Sequence, residues 1–182
     1  MNISSKEELI EYINHGNEMK YVFFWGHQKA RSGITKSCFS QWYDSPFQSN
    51  GKRFATAEHY MMYHKAFLFG DTESAQKVLN ASNPGEAKAI GREVKGFDEQ
   101  KWLKHRFEIV INANLTKFGN NAGLKDFLLN TGNRVLVEAS PIDKIWGVGL
   151  TADDPSIENP NLWKGLNLLG FALMVVRDKL GQ

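Results

Sequence analysis

The sequence predicts a mainly helical domain with small β elements, with a fuller α+β arrangement as the alternative. Capping residues recur ahead of helical stretches, at Ser5, Thr56, Asn83 and Asp98. A side-chain oxygen at such a position takes up an amide that the first helical turn leaves unbonded. Strand-like runs are few and short, Tyr21–Trp25 and Arg134–Ala139. No repeat, low-complexity tract or linker interrupts the chain, and 182 residues suit one core, so residues 1–182 are expected to form a single domain.

Ser5-Lys6-Glu7-Glu8 has capping-box spacing and predicts a short helix to His15, ended by Gly16. Tyr21–Trp25 is apolar and aromatic, as a strand is. Residues 26–53 are punctuated by Gly, Ser, Pro and Asn and read as loops with short strands, a common form of binding surface in small domains. Thr56 caps a helix through Phe69, which Gly70 and Asp71 stop; another helix runs from Thr72 to Ala81. Asn83-Pro84-Gly85-Glu86 combines a cap, a proline at the first helical position and an acid at the third, ahead of a helix carrying Ala87–Val94. Asp98 caps a long helix from Glu99 to Thr116, with Trp102, Arg106, Ile109 and Ala113 near one stripe. Ala122–Asn130 is short and helical, with Gly132 just past it. After the Arg134–Ala139 strand comes an acidic, proline-containing loop, Ala152–Pro160. Lys164–Leu180 closes the chain as an apolar helix central to the core.

Lys plus Arg is 22 and Asp plus Glu 20, a formal charge of +2 that gives no broad electrostatic platform for nucleic acid. The single cysteine, Cys38, has no second cysteine to pair with, which favours a reducing cytoplasm. MNISSKEELIEYINHG has no signal-peptide core, and the longest apolar run, Phe171–Val176, is far too short to span a bilayer, so no membrane partner is expected. The sequence assigns no oligomeric state.

Familiar chemical motifs are mostly absent. There is no GxGxxG after a strand, no Walker A sequence, no CxxC and no HExxH. His59 and His64, five residues apart, point in different directions on a helix, and the site is read as metal-free. Nothing local activates Cys38, which reads as an inert thiol.

Two segments carry more. In Ala55–Asp71, helical spacing puts Glu58, Met61, Met62 and Lys65 near one face, with Glu58 and Lys65 two turns apart, about 10 Å along the axis. Their functional reading is an acid/base carboxylate beside a lysine that binds an anion or attacks a sugar carbon. The plainer reading is a solvated acid and base beside a Met and Phe core. In Val135–Leu150, Asp143 precedes Trp146 by three residues on a loop, which suits a site where Trp102 and Trp146 grip a planar leaving base and Asp143 orients or protonates it; alternatively Asp143 caps local amides while Trp146 packs inward. Trp102, Trp25, Trp42 and Tyr43 line a ring pocket or fill the core. Arg92 and Arg106 hold a phosphate or sit on solvated helix faces. Asn167 pairs with a base edge or serves as a structural amide, and Glu138 has a buried ion-pair reading.

These segments resemble the YbiA-like family, also called NADAR. The resemblance runs from about Tyr21 to Leu180. It is carried by FFWG (Phe23–Gly26), SCFSQWY (Ser37–Tyr43), TAEHYMMYHKA (Thr56–Ala66), AKAIGR (Ala87–Arg92), VEASPIDKIWGVGL (Val137–Leu150) and NLLGFALMVVR (Asn167–Arg177). Each piece is weak alone; their order and spacing are specific. The resemblance implies a compact, mainly helical fold with small β elements. It also implies hydrolysis of an N-glycosidic bond, in phosphoribosylamino-pyrimidine intermediates of riboflavin synthesis or, in other members, in ADP-ribosylated guanine of nucleic acid. The family pattern falls on Glu58, Lys65, Arg92, Trp102, Asp143, Trp146 and Asn167. The chain departs from the bacterial riboflavin-pathway form at Trp25–Tyr43, where that form has a shorter loop.

An N-glycoside breaks through an electron-poor C1. A carboxylate near C1 stabilises that charge or activates water, and protonation of the base helps it leave. A ribosylamine also opens to an imine, onto which a lysine amine such as that of Lys65 exchanges as a Schiff base. Neither route requires a metal or redox cofactor. The expected substrate is a small phosphoribosylated amine, with an ADP-ribosylated molecule or modified nucleic acid as the alternative and a non-catalytic ADP-ribose or nucleotide-binding module as the rival class. The acids Asp153, Asp154 and Glu158 argue against a long phosphate backbone. The basic residues Lys29, Arg31, Lys36, Lys52 and Arg53 argue for one.

Overall fold

Seven α-helices and four short strands make up the fold in a computed structural model that describes residues 3–182. The backbone clusters into two compact units. One comprises the segments up to Ser40 and from Ala122 to Gln182, and the other is the continuous stretch Gln41–Asn121.

In the discontinuous unit, α1 (Lys6–Asn14) opens on Ser5, whose hydroxyl accepts the Glu8 amide, while the Glu8 carboxylate accepts the Ser4 amide. Strands β1 (Tyr21–Phe24) and β4 (Val135–Glu138) pair in parallel, Tyr21 opposite Val135 and Phe24 opposite Glu138. Two strands that far apart in sequence meet because each is apolar and α7 (Leu168–Leu180) packs on β4. Val135, Leu136 and Val137 are sealed, as are Phe171, Leu173 and Val176 of α7. Helix α6 (Ala122–Leu129) adds Leu124 and Leu128 to the interior. A 3-10 turn, Lys36–Phe39, buries Cys38 and sets Phe39 against Phe24 and Phe127.

In the continuous unit, α2 (Ala57–Leu68) packs against α3 (Thr72–Asn80), α4 (Pro84–Arg92) and α5 (Glu99–Gly119). Each is capped as its sequence signals: Thr56 on the His59 amide, Asp71 on Ser74, Asn83 on Glu86 and Asp98 on Lys101. A hairpin, β2 (Phe47–Ser49) with β3 (Lys52–Phe54), turns through Asn50 and Gly51, both at positive φ. It sets Phe47 and Phe54 against Tyr60 and Ala113.

Several boundaries move for physical reasons. The closing helix starts at Leu168, not Lys164. Asn167 is left-handed (φ 55), and the amides of Leu166, Asn167, Leu168 and Leu169 donate to the carbonyls of Lys144, Gly147, Ile145 and Trp146. Those amides would otherwise be orphans of a first turn. The helix expected to carry Ala87–Val94 ends at Arg92, where the Glu93 amide turns back to the Ile90 carbonyl. The long helix runs on past Thr116 to Gly119, burying Lys117 and Phe118 in its last turn. No described helix is long and apolar enough to cross a membrane.

Candidate active site

In the continuous unit, α2 carries Glu58 in its first turn and Lys65 in its last. The Glu58 amide donates to the Gln41 carbonyl at 3.0 Å, and the residue is only 3% exposed. A carboxylate in a first turn faces the positive end of the helix dipole, an attraction that opposes the cost of burying its charge. His59 beside it is equally enclosed. Its Nε2 donates to the Ala81 carbonyl (3.2 Å), so its Nδ1, 2.8 Å from the Thr56 hydroxyl, is the acceptor of a neutral ring. Burial holds this imidazole below its ordinary pKa, as it does His64, which lies among the rings of Phe54, Tyr60 and Tyr63.

The other end of α2 is built around a cation. Lys65 Nζ donates to the Gly91 carbonyl at 2.7 Å and lies 4.5 Å from the ring centre of Phe97 and 5.5 Å from that of Trp102. Burial first, and the neighbouring Arg92 second, lower the pKa of the ammonium. Glycine at 91 leaves room for Met62, whose side chain would have to move to accept a Cβ there. That close approach of α4 to α2 brings the Gly91 carbonyl within reach of Lys65. The structure thus gathers Lys65, Arg92 and Trp102 at one place, with Phe97 as a fourth member that no sequence signal marked. Arg92 is exposed. Arg106, one turn beyond Trp102, is half-buried, and burial lowers its pKa. Trp42 is half-buried near Gly85, with Lys88 Nζ 5.8 Å from its ring. Tyr43 is buried, with Lys117 Nζ 5.5 Å from its ring.

The other candidates belong to the discontinuous unit. Asp143 Oδ1 accepts the amides of Ile145 (2.9 Å) and Trp146 (2.8 Å), and the Asp143 amide donates to the Ser140 hydroxyl. One carboxylate oxygen therefore closes the loop on itself. Asn167 is fully enclosed: its Oδ1 accepts the Glu138 amide at 3.0 Å and its Nδ2 donates to the Leu136 carbonyl at 2.9 Å. With both ends of its amide engaged by β4, it joins strand, loop and helix. Gly165 and Gly170 permit this, since a Cβ would lie 2.3 Å from the Gly147 carbonyl at one and 2.0 Å from the Leu136 carbonyl at the other. Trp146 is half-buried, while Trp25 stands 61% exposed, followed by exposed Lys29, Arg31 and Lys36. A cleft of about 580 Å³ between Glu18–Lys20 and Asn130–Arg134 holds none of the candidates.

Sequence reading passed over Gln41, Asn114 and Lys117. Asn114 Nδ2 donates to Gln41 Oε1 at 2.8 Å, and all three residues are buried. The available signal was helical spacing: Val110, Ala113, Asn114 and Lys117 share a face, and a lysine on an inward face is unusual.

The NADAR domain profile matches residues 23–181. The chain is 46% identical to a protein named N-glycosidase R617, from Acanthamoeba polyphaga mimivirus, over 168 residues, 90% of this chain and 98% of that one. It is 30% identical to N-glycosidase YbiA of Escherichia coli, covering 79% of each chain. The solved structure of E. coli YbiA superposes with a TM-score of 0.72 at 26% identity, covering 91% of this chain and 87% of that one. A third relative, riboflavin biosynthesis protein PYRR of Zea mays, is 36% identical over 72% of this chain, which matches 21% of that longer protein.

Proposed function

The chain belongs to the NADAR family, and with N-glycosidases among its relatives it is a hydrolase of N-glycosyl bonds; we propose that the bond it cuts is the C–N bond of a phosphoribosylamino-pyrimidine intermediate of riboflavin synthesis, releasing ribose 5-phosphate. The observation that carries the catalytic reading is a carboxyl sealed in the first turn of α2, with its amide anchored on Gln41. As the C1–N bond breaks, its electron pair passes to nitrogen, which takes up a proton from solvent. Water adds to C1 and gives a proton to Glu58, which returns it to solvent, so that one water is consumed and the carboxylate is regenerated. A carboxylate taken from bulk water acts more strongly on the developing C1 charge than an exposed one.

Lys65 and Arg92 are the second part of the proposal. Two cations close enough for one to lower the pKa of the other form a place that an anion relieves, and the sugar 5-phosphate is such an anion. Trp102 beside them is the ring surface. Asp143 acts by holding the Trp146 loop. The maize relative named for riboflavin biosynthesis supports this substrate, and the single cysteine supports a cytoplasmic setting.

One observation favours a second reading, an ADP-ribosyl hydrolase acting on modified guanine: exposed Trp25 followed by exposed Lys29, Arg31 and Lys36. The purified protein offered both substrates, with ribose 5-phosphate, free base and ADP-ribose followed by mass spectrometry, separates the two. Ribose 5-phosphate release is the expected result. ADP-ribose release without turnover of the pyrimidine intermediate would reverse the choice.

A further inference from the structure

Lys117 is a lysine in the last turn of α5 with 1% of its surface exposed. Its Nζ lies 5.5 Å from the ring centre of Tyr43 and 5.1 Å from that of Phe118. Aromatic faces attract an ammonium, yet they do not replace the hydration it loses, and buried charges are held by opposite charges. The acids of the continuous unit narrow the choice. Apart from Asp71, Glu58 is the only buried acid among the described residues of that unit. Asp71 takes the amides of Ser74 and Lys95, Glu73 takes Lys77 and Lys95, Glu86 takes Ser82, and Asp98 caps Lys101.

The Gln41–Tyr43 segment joins the two groups. Its Gln41 carbonyl accepts the Glu58 amide, its Gln41 Oε1 accepts Asn114 from one turn before Lys117, and its Tyr43 ring faces Lys117 Nζ. The backbone of Glu58 and the sealed ammonium of Lys117 therefore meet the same three-residue segment.

We infer that Lys117 is the counter-ion of Glu58: a positioning residue whose buried charge keeps the carboxylate ionised and fixes its direction. The inference rests on the reading of Glu58 as the catalytic acid/base. The charged and titratable groups on the elements that carry and join the pair include Tyr43 and exposed Asp44 on the Gln41–Tyr43 side and His59 on α2, whose ring is bonded between Thr56 and Ala81.

The test is the titration of the Glu58 carboxyl by 13C NMR in the intact chain and in its Lys117→Met, Lys117→Arg and Asp44→Asn variants. Methionine fills the space of the lysine stem without charge, and thermal unfolding verifies that each variant is folded. Removing an opposite charge at close range raises a carboxyl pKa by about one to three units. Lys117→Met is expected to raise the Glu58 midpoint by at least about one unit, and Lys117→Arg to restore most of it. A midpoint in Lys117→Met within about 0.3 units of the parent, or a larger rise in Asp44→Asn than in Lys117→Met, would overturn the inference. On substrate, Lys117→Met is expected to lose about tenfold or more in kcat with little change in KM, and to shift the acidic limb of the pH profile upward. The titration needs no turnover, so a parent protein inactive on both substrates would remove the proposed function while leaving the counter-ion to be judged by NMR.

Discussion

The two ends of α2 handle charge in opposite ways. At the first turn a carboxyl is sealed, with the helix amide beside it tied to Gln41 and a neutral His59 next in line. At the last turn an ammonium is half-buried, spread over Gly91, Phe97 and Trp102 with Arg92 alongside. An enclosed acid suits the proposed bond breaking at C1, where charge develops. A partly open cation suits holding an anion that enters and leaves. On the proposed reading the same helix supports two tasks because its neighbours differ, the Gln41 carbonyl at one end and Gly91 of α4 at the other.

The largest effect expected at the carboxylate end is on chemistry. Glu58→Gln keeps the size of the side chain and removes its charge; kcat is expected to fall by about 10²–10⁴ with the unfolding temperature preserved. Near-normal turnover by the folded variant would take Glu58 out of the mechanism.

At the cation end the largest effect is on stability. Gly91→Ala drives a methyl into Met62 and is expected to lower stability by about 1–3 kcal/mol, measured by urea unfolding. A neutral result would mean that the flexible Met62 side chain moves aside at low cost. Lys65→Met then isolates the charge: KM for the phosphorylated substrate is expected to rise about tenfold with kcat nearly unchanged. Borohydride treatment with substrate sharpens this, because a reduced adduct on Lys65 in the parent would assign it the Schiff-base route instead.

The smallest effect concerns acid. Burial holds the folded-state pKa of His59 below its ordinary 6.5, so the unfolded chain takes up the proton first. The stabilisation by neutral His59 is complete above that value and is lost as pH falls below it. Unfolding temperature between pH 7 and 5 should therefore drop less steeply in His59→Gln than in the parent, and identical slopes would contradict the neutral-ring assignment. A further loss is expected below pH 4, where Asp71, held at about 2 by the Lys95 and Ser74 amides, begins to protonate in the unfolded chain.

Local signals were legible in the sequence wherever one residue acts on its own turn. Ser5, Thr56, Asn83 and Asp98 cap the helices they precede. Long-range pairings were not legible. The start of α7 depends on carbonyls of residues 144–147, which no propensity at Lys164 reports. Phe97 lies beside Lys65 across a long sequence separation that no local pattern reports. Lys117 was hidden by its type, since a lysine at a helix end reads as solvated until the inward face of the whole helix is traced. The spacing of Glu58 and Lys65 was plain, but their difference in burial was not, because it comes from Gln41 and Gly91, distant in sequence.

The most direct test sets the two ends against each other on one substrate. Steady-state kinetics of the parent, Glu58→Gln and Lys65→Met are measured on a phosphoribosylamino-pyrimidine, with ribose 5-phosphate followed by mass spectrometry. The account expects release by the parent, a collapse of kcat at nearly constant KM in Glu58→Gln, and a raised KM at nearly constant kcat in Lys65→Met. Full kcat in Glu58→Gln together with a collapse in Lys65→Met would contradict it and move the chemistry to the other end of the helix.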